Sequence, residues 1–263
     1  MSISRNPIGG MLPTVVKNLL IINGLFFLAR FTFGTDELGR NLLDNILGMY
    51  YVGSPNFRPW QVLTHMFMHG GFSHIFFNMF ALWMFGAPIE HRLGAKRFLT
   101  YYMICGLGAA ALHTGVSAYE VTRDEQAVIA IGADPEEVKD AAATPNIAEA
   151  ERMLNDISGT TGASDEDLTR LYFDYQGIII GASGAVFGIL LAFGMLFPDQ
   201  QILMLFFPVP IKAKYFVAIY GVIELFMGIR QGQGDNVAHF AHVGGMIFGY
   251  FLLRHWKRKE PWL

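Results

Sequence analysis

The sequence predicts an all-α polytopic membrane protein: six transmembrane helices around a buried polar cavity, with a mostly helical extramembrane insert. Three observations carry that prediction. Of 263 residues, 52% are hydrophobic and only 16% charged, against about 25% charged in an ordinary soluble domain. Six segments are apolar enough to form spanning helices, each needing about 20 residues to cross about 30 Å of hydrocarbon. One interval, 119–176, carries 4 Lys/Arg against 14 Asp/Glu and has no place in lipid.

The spans fall at 15–33, 73–91, 98–117, 177–197, 213–230 and 237–254. The second holds His74 and Asn78 and ends at Glu90, beside Arg92, where a structural hydrogen-bonding role is expected. The third contains Cys105, the single cysteine, so no internal disulfide is possible and a packed thiol is expected. The fourth carries Ser183 among Gly181, Gly184 and Gly188, and the sixth carries His239 and His242 beside an Ala241, Gly245, Gly249 ridge. Small residues at such spacing let helix backbones approach closely. The fifth contains Glu224, a carboxylate that is costly in lipid unless satisfied and that has no partner legible in the sequence.

The organisation expected is a cytoplasmic N-terminus (1–14), helices one to three with an outer loop at 34–72 (15–117), an acidic insert (118–176), helices four to six (177–254) and a basic tail (255–263). Within the insert, Asp134-Pro135-Glu136-Glu137, Thr144-Pro145 ahead of Ile147, and Ser164-Asp165-Glu166-Asp167 each read as a helix start. No removable signal peptide is expected, since an apolar core followed by a small-residue cleavage site is missing at the N-terminus.

Cations set the orientation, because Lys and Arg accumulate in cytoplasmic loops. Arg5 and Lys17, then Arg92, Lys96 and Arg97, then Lys212 and Lys214, then Arg254, Lys257, Arg258 and Lys259 flank the N-terminus, alternate loops and the C-terminus. Both termini are therefore expected in the cytoplasm, with loops 34–72, 118–176 and 231–236 on the other side. A bacterial-type inner membrane is the expected location, and the lipid bilayer the surrounding partner. A net charge of −3 argues against a nucleic-acid partner, which would need a basic face, and none is expected. Nothing in the sequence sets an oligomeric state.

Helices two, four and six then run in the same direction, and depth can be counted at 1.5 Å per residue. Ser183 falls about 9 Å below a boundary at Gly177, His242 about 8 Å below Val237, and Asn78 about 9 Å below Phe72, with His74 one turn above Asn78 on the same face. A hydroxyl becomes a nucleophile when a base takes its proton, and His242 at the same depth can serve. The resulting oxyanion has no solvation in lipid, so donors from Asn78, His74 and the Ser183 backbone N–H would be required. No carboxylate is legible beside His242, so a Ser–His dyad is expected, with packing orienting the ring.

These residues resemble the rhomboid family of intramembrane serine proteases. The resemblance rests on Trp60 after Pro59, His65, His69, His74-Ile75-Phe76-Phe77-Asn78, Gly86 to Gly94, Gly181-Ala182-Ser183-Gly184, and Ala241-His242-Val243-Gly244-Gly245 with Gly249, over roughly 55–117 and 177–254. It implies Ser183 as nucleophile, His242 as general base and Asn78 with His74 as oxyanion-stabilising side chains. It implies transmembrane proteins as substrates. No cofactor or metal is expected. Two residues depart from it: Gln61 stands where some members have arginine, and Phe187 where some have tyrosine, although Phe187 can still stack on His242. The insert is not expected to belong to the family core.

Other readings are a packing serine, His239 as the base, a non-catalytic rhomboid-like protein that binds transmembrane clients, a zinc site at His65 and His69, and a transporter that uses His242 as a proton relay. The zinc pair lacks the Glu and third ligand of a zincin. For the insert, charge-based screening of substrate ectodomains stands beside a tolerated loop elaboration.

Overall fold

The computed structural model describes residues 12–36, 39–144, 146–203, 209–230 and 238–260. Arg5, Val237 and the 231–236 loop lie outside the described residues. The chain is mostly helical. Helices α1 (Thr14–Arg30) and α2 (Leu42–Leu47), strand β1 (Met49–Tyr50) and helix α3 (Gln61–Thr64) lead to α4 (Phe72–Ala81). A wide π turn over Leu82–Gly86 joins α4 to α5 (Ala87–Leu93), just ahead of Pro88, which has no N–H to continue the regular ladder. Then come α6 (Ala95–Ala130), α7 (Pro135–Ala143), α8 (Ile147–Thr161), α9 (Asp165–Gln176) and β2 (Ile178–Ile179). Helix α10 (Ser183–Leu196), strands β3 (Gln201–Ile202) and β4 (Ile211–Lys212), α11 (Ala213–Arg230) and α12 (His239–Lys259) follow.

Two expected elements change. The third span is the first half of α6, a continuous helix of 36 residues about 54 Å long at the helical rise. The fourth begins at Ser183 and not at 177, because residues 178–179 form β2, antiparallel to β1 with Met49 opposite Ile179. Ile178, Ile179 and Ile180 are β-branched and suit extended backbone, and Gly181 has a φ of 134°, outside the right-handed helical region. The depth assigned to Ser183 by helical rise from Gly177 therefore does not hold.

Among the described residues one helical stretch, Phe72–Leu93, is long and apolar enough to cross a membrane, and Ser183–Leu196 is a shorter apolar helix. Large apolar side chains are nevertheless exposed on other helices: Leu25 and Leu28 on α1, Ile219, Val222, Phe226 and Ile229 on α11, and Phe251 on α12.

The chain forms two compact units, of which the first runs through Phe27, His69–Leu112 and from Gly181 onward. Helix α10 is its buried centre, packed against α4, α5, α11 and α12. A Cβ on Gly245 would lie 1.8 Å from the Gly184 carbonyl oxygen, so the α10–α12 backbones meet there and only glycine fits. The ridge on α12 serves two neighbours: Gly245 faces α10, whereas Gly249 faces Tyr101 and Cys105 of α6. Tyr101 donates to the Gly188 carbonyl at 2.9 Å, tying α6 to α10, and Cys105 is fully buried. Glu90 accepts from the Val15 and Val16 amides at 2.9 and 2.8 Å. It thereby satisfies donors that the first turn of α1 cannot satisfy itself.

The second unit joins Leu28–Met68 with His113–Ile180. The acidic insert shares this unit with the first outer loop. The core of the insert includes Val121, Val138, Ile157, Leu168 and Leu171, with Tyr51 of the loop packed against it. Arg40 donates to the Gln176 carbonyl at 2.8 Å. The insert helices start at Asp134, Asn146 and Ser164, whose side chains accept from Glu136 and Glu137, Glu149 and Asp167 backbone amides respectively. At the second start the cap is Asn146, one residue beyond the Thr144-Pro145 signal.

Candidate active site

Ser183 is the first residue of α10, and His242 lies in the opening turn of α12, where the Gly184–Gly245 contact brings the helices together. The hydroxyl Oγ lies 2.9 Å from His242 Nε2. His242 is stacked face to face on Phe187, with ring centroids 4.1 Å apart at 7°, and Phe187 is backed by Tyr220 at 5.2 Å. This plate fixes the plane of the imidazole.

The ring's other nitrogen has a partner that the sequence did not show. His242 Nδ1 is 2.8 Å from Glu224 Oε2, and His239 Nδ1 approaches the same oxygen at 2.7 Å. All three residues are buried. The expectation that no carboxylate accompanies His242 is therefore corrected: Glu224, in the middle of α11, reaches it across the α11–α12 contact. A carboxylate only accepts, so in the neutral ring Nδ1 carries the proton and Nε2 is the acceptor facing Ser183. The three residues could also gather round a metal ion, since their ligand atoms lie within 4.8 Å of one another. The 2.7 and 2.8 Å separations are hydrogen-bond lengths. Ligands 2.0–2.1 Å from a tetrahedral zinc would stand about 3.3 Å apart.

The side of Ser183 that faces His74 and Asn78 is built from α4 and the bend before α10. His74 Nδ1 accepts from the Gly70 amide at 3.4 Å, which leaves the ring proton of a neutral imidazole on Nε2. That nitrogen lies over Gly181, where a Cβ would sit 2.8 Å from it and 3.5 Å from Ser183 Oγ. Glycine is needed here both for its φ and for this approach. Asn78 is buried and donates one amide hydrogen back to the His74 carbonyl at 3.0 Å; a second remains on the same nitrogen. Because α10 starts at Ser183, the N–H groups of its first turn have no intrahelical acceptors and their dipoles favour negative charge.

The remaining candidates have structural surroundings. Gln61, where an arginine was the alternative, is buried; it accepts from the Arg58 amide at 2.9 Å and donates to the Asn56 carbonyl at 3.3 Å, so a neutral amide latches the loop. Trp60 Nε1 donates to the Ile46 carbonyl at 3.0 Å. His65 Nδ1 lies 2.9 Å from the Gln61 carbonyl, and burial holds its pKa below the usual imidazole value. A cavity of about 530 Å³ in the second unit is lined by Asp36, Arg40, Asn45, Trp60, Gln61 and Asn146 among others.

The profile of the Rhomboid domain matches residues 56–133 and 157–256. The chain belongs to the rhomboid family. The match runs further than the sequence reading expected, taking in both ends of the insert. An uncharacterised mitochondrial rhomboid protein of Schizosaccharomyces pombe is 26% identical over 213 residues, 77% of this chain and 53% of the relative. Rhomboid protein 1, mitochondrial, of Saccharomyces cerevisiae is 26% identical over 194 residues, 73% of this chain and 41% of the relative. Rhomboid protease AarA of Providencia stuartii is 24% identical over 265 residues, covering 96% of this chain and 77% of the relative. The chain thus spans about half the length of the two mitochondrial relatives. Rhomboid proteins are integral membrane proteins, and these relatives come from both mitochondria and bacteria.

Proposed function

We propose that this rhomboid is an intramembrane serine endopeptidase that cleaves peptide bonds in or near transmembrane segments of membrane proteins. The observation that carries this reading is the 2.9 Å approach of Ser183 Oγ to His242 Nε2 at the first turn of an apolar helix. Six helices cross the bilayer around the site, with both termini cytoplasmic. The exposed Leu, Ile, Val and Phe of α1, α11 and α12 support lipid contact, since soluble surfaces rarely expose such contiguous apolar area.

His242 takes the Ser183 proton as the hydroxyl attacks the scissile carbonyl, then returns it to the leaving amine. The Ser183 backbone N–H, His74 Nε2–H and Asn78 hold the oxyanion. Water, activated by the same imidazole, hydrolyses the acyl-enzyme. No step calls for a cofactor. The surrounding membrane is of the bacterial inner type. A non-catalytic, client-binding role is the other reading; the close Ser183–His242 pairing favours catalysis over it.

The test is Ser183→Ala and His242→Ala, each purified and assayed on a transmembrane reporter, with fluorophosphonate labelling assigned by mass spectrometry. Loss of cleavage by both variants and labelling at Ser183 are expected. Full cleavage by either variant would sink the mechanism. Absence of labelling in an otherwise folded protein would favour the client-binding role.

A further inference from the structure

A base that shares its ring between two tautomers is a serine activator for only part of the time, and face stacking alone does not choose between them. Here the choice is made by a carboxylate from the neighbouring helix. Glu224 Oε2 accepts from His242 Nδ1 at 2.8 Å while His242 Nε2 faces Ser183 Oγ at 2.9 Å, so one imidazole bridges the carboxylate and the hydroxyl. We propose that Glu224 is a positioning residue that completes a Ser183–His242–Glu224 relay. It fixes the tautomer and tilt of His242 and offsets the positive charge the ring acquires on taking the serine proton. Glu224 itself stays ionised: the proton travels from Ser183 Oγ to His242 Nε2 and on to the leaving amine. The inference rests on the assignment of Ser183 and His242 as nucleophile and base.

His239 has a part in the same arrangement. Its Nδ1 donates to the oxygen that His242 uses, at 2.7 Å, and the two rings stand edge-on at 86° with centroids 6.3 Å apart. Two donors converging on one oxygen hold the carboxylate against rotation and compensate a charge that is costly to bury. His239 therefore clamps Glu224, one turn away from the residue that meets the serine, and is not a second base.

The full-length protein in detergent decides the matter with Glu224→Gln and Glu224→Leu beside Ser183→Ala. An amide can turn its N–H toward Nδ1 and so stabilise the wrong tautomer of His242. Glu224→Gln is therefore expected to lower kcat about 10²–10⁴-fold, with KM unchanged because substrate binding is not involved. Fluorophosphonate labelling of Ser183 should slow in step, and thermal unfolding should show a folded protein. With ¹⁵N-histidine-labelled wild type, a downfield Nδ1 proton on His242 is expected.

A folded Glu224→Gln enzyme with unchanged kcat overturns the proposal. So does a wild-type His242 whose ring proton sits on Nε2, a measurement that decides even when both Glu224 variants fail to fold. Wild-type cleavage abolished by a strong chelator and restored by zinc also overturns it, because the trio would then be a metal site. Cleavage by Ser183→Ala removes the underlying assignment, whereas an inactive Ser183→Ala beside a fully active Glu224→Gln removes Glu224 alone.

Discussion

At the scale of single residues, the candidate site sets polar side chains beside glycines that make room for them. His74 and Asn78 are each expected to contribute about 10²–10³ in kcat as oxyanion donors, so His74→Ala and Asn78→Ala should lower turnover of a transmembrane reporter by that factor. Unchanged turnover in either variant would remove that residue from the oxyanion site. Gly181→Ala should fail for a different reason. The new methyl meets His74 Nε2 at 2.8 Å and needs a φ of 134°, at a cost of more than about 1 kcal/mol. Both stability and cleavage should fall, read by thermal unfolding and the reporter. Ser183, His242, Asn78 and His74 stand out in the sequence because polar residues in apolar runs are few. Glu224 was legible as an anomaly, and its partner was not. Counting six residues inward from Arg230 puts it about 9 Å down at the helical rise, the level assigned to His242 and Asn78, and that was the signal that could have found it.

At the scale of elements, the α10–α12 contact positions the chemistry. A Cβ at Gly245 overlaps the Gly184 carbonyl at 1.8 Å, so Gly245→Ala should destabilise by about 1–3 kcal/mol as the helices are pushed apart, and Ser183 should separate from His242. Gly24→Ala on α1 is the control: nothing lies within 4 Å of its Cβ position, and helix propensity should stabilise the variant by about 0.4–1 kcal/mol. Thermal midpoints that move together for the two variants would show that backbone approach is not what Gly245 provides. The start of α10 shows where periodicity misled. An apolar run of isoleucines and glycines reads as helix by hydropathy, but β2 claims Ile178 and Ile179 by pairing with β1, and this leaves Ser183 at a helix N-terminus.

At the scale of the whole molecule, the insert has its own hydrophobic core, against which Tyr51 of the outer loop packs, and its acids titrate unequally. Burial, with Glu120 and Asp124 nearby, pushes the Asp174 pKa up to about 6. Asp124 is held below the usual carboxylate range, the bonds from Arg123 and Arg170 outweighing its burial. A raised carboxylate pKa means that the folded state binds the proton more tightly than the unfolded chain. Through Asp174, stability therefore rises as pH falls from about 6 toward 4 and is lowest above about 6. Asp174→Asn should raise the thermal midpoint at pH 8 and match wild type near pH 4. A difference between the two that does not change with pH would contradict the assigned cause.

The sequence by itself determined what depends on sums and short range. Its composition sets the helical, lipid-compatible class. Asp134 and Ser164 cap the helices they precede, because a cap bonds to amides two or three residues away. The order of its motifs identified the rhomboid family and singled out Ser183 and His242. Only the tertiary structure decided which surfaces meet. The bond between Glu224 and His242 joins residues 18 apart on different helices. The β1–β2 pairing joins Tyr50 to Ile178. Such pairings depend on helix rotation and backbone approach, which glycines at Gly181, Gly184 and Gly245 permit but local sequence does not specify.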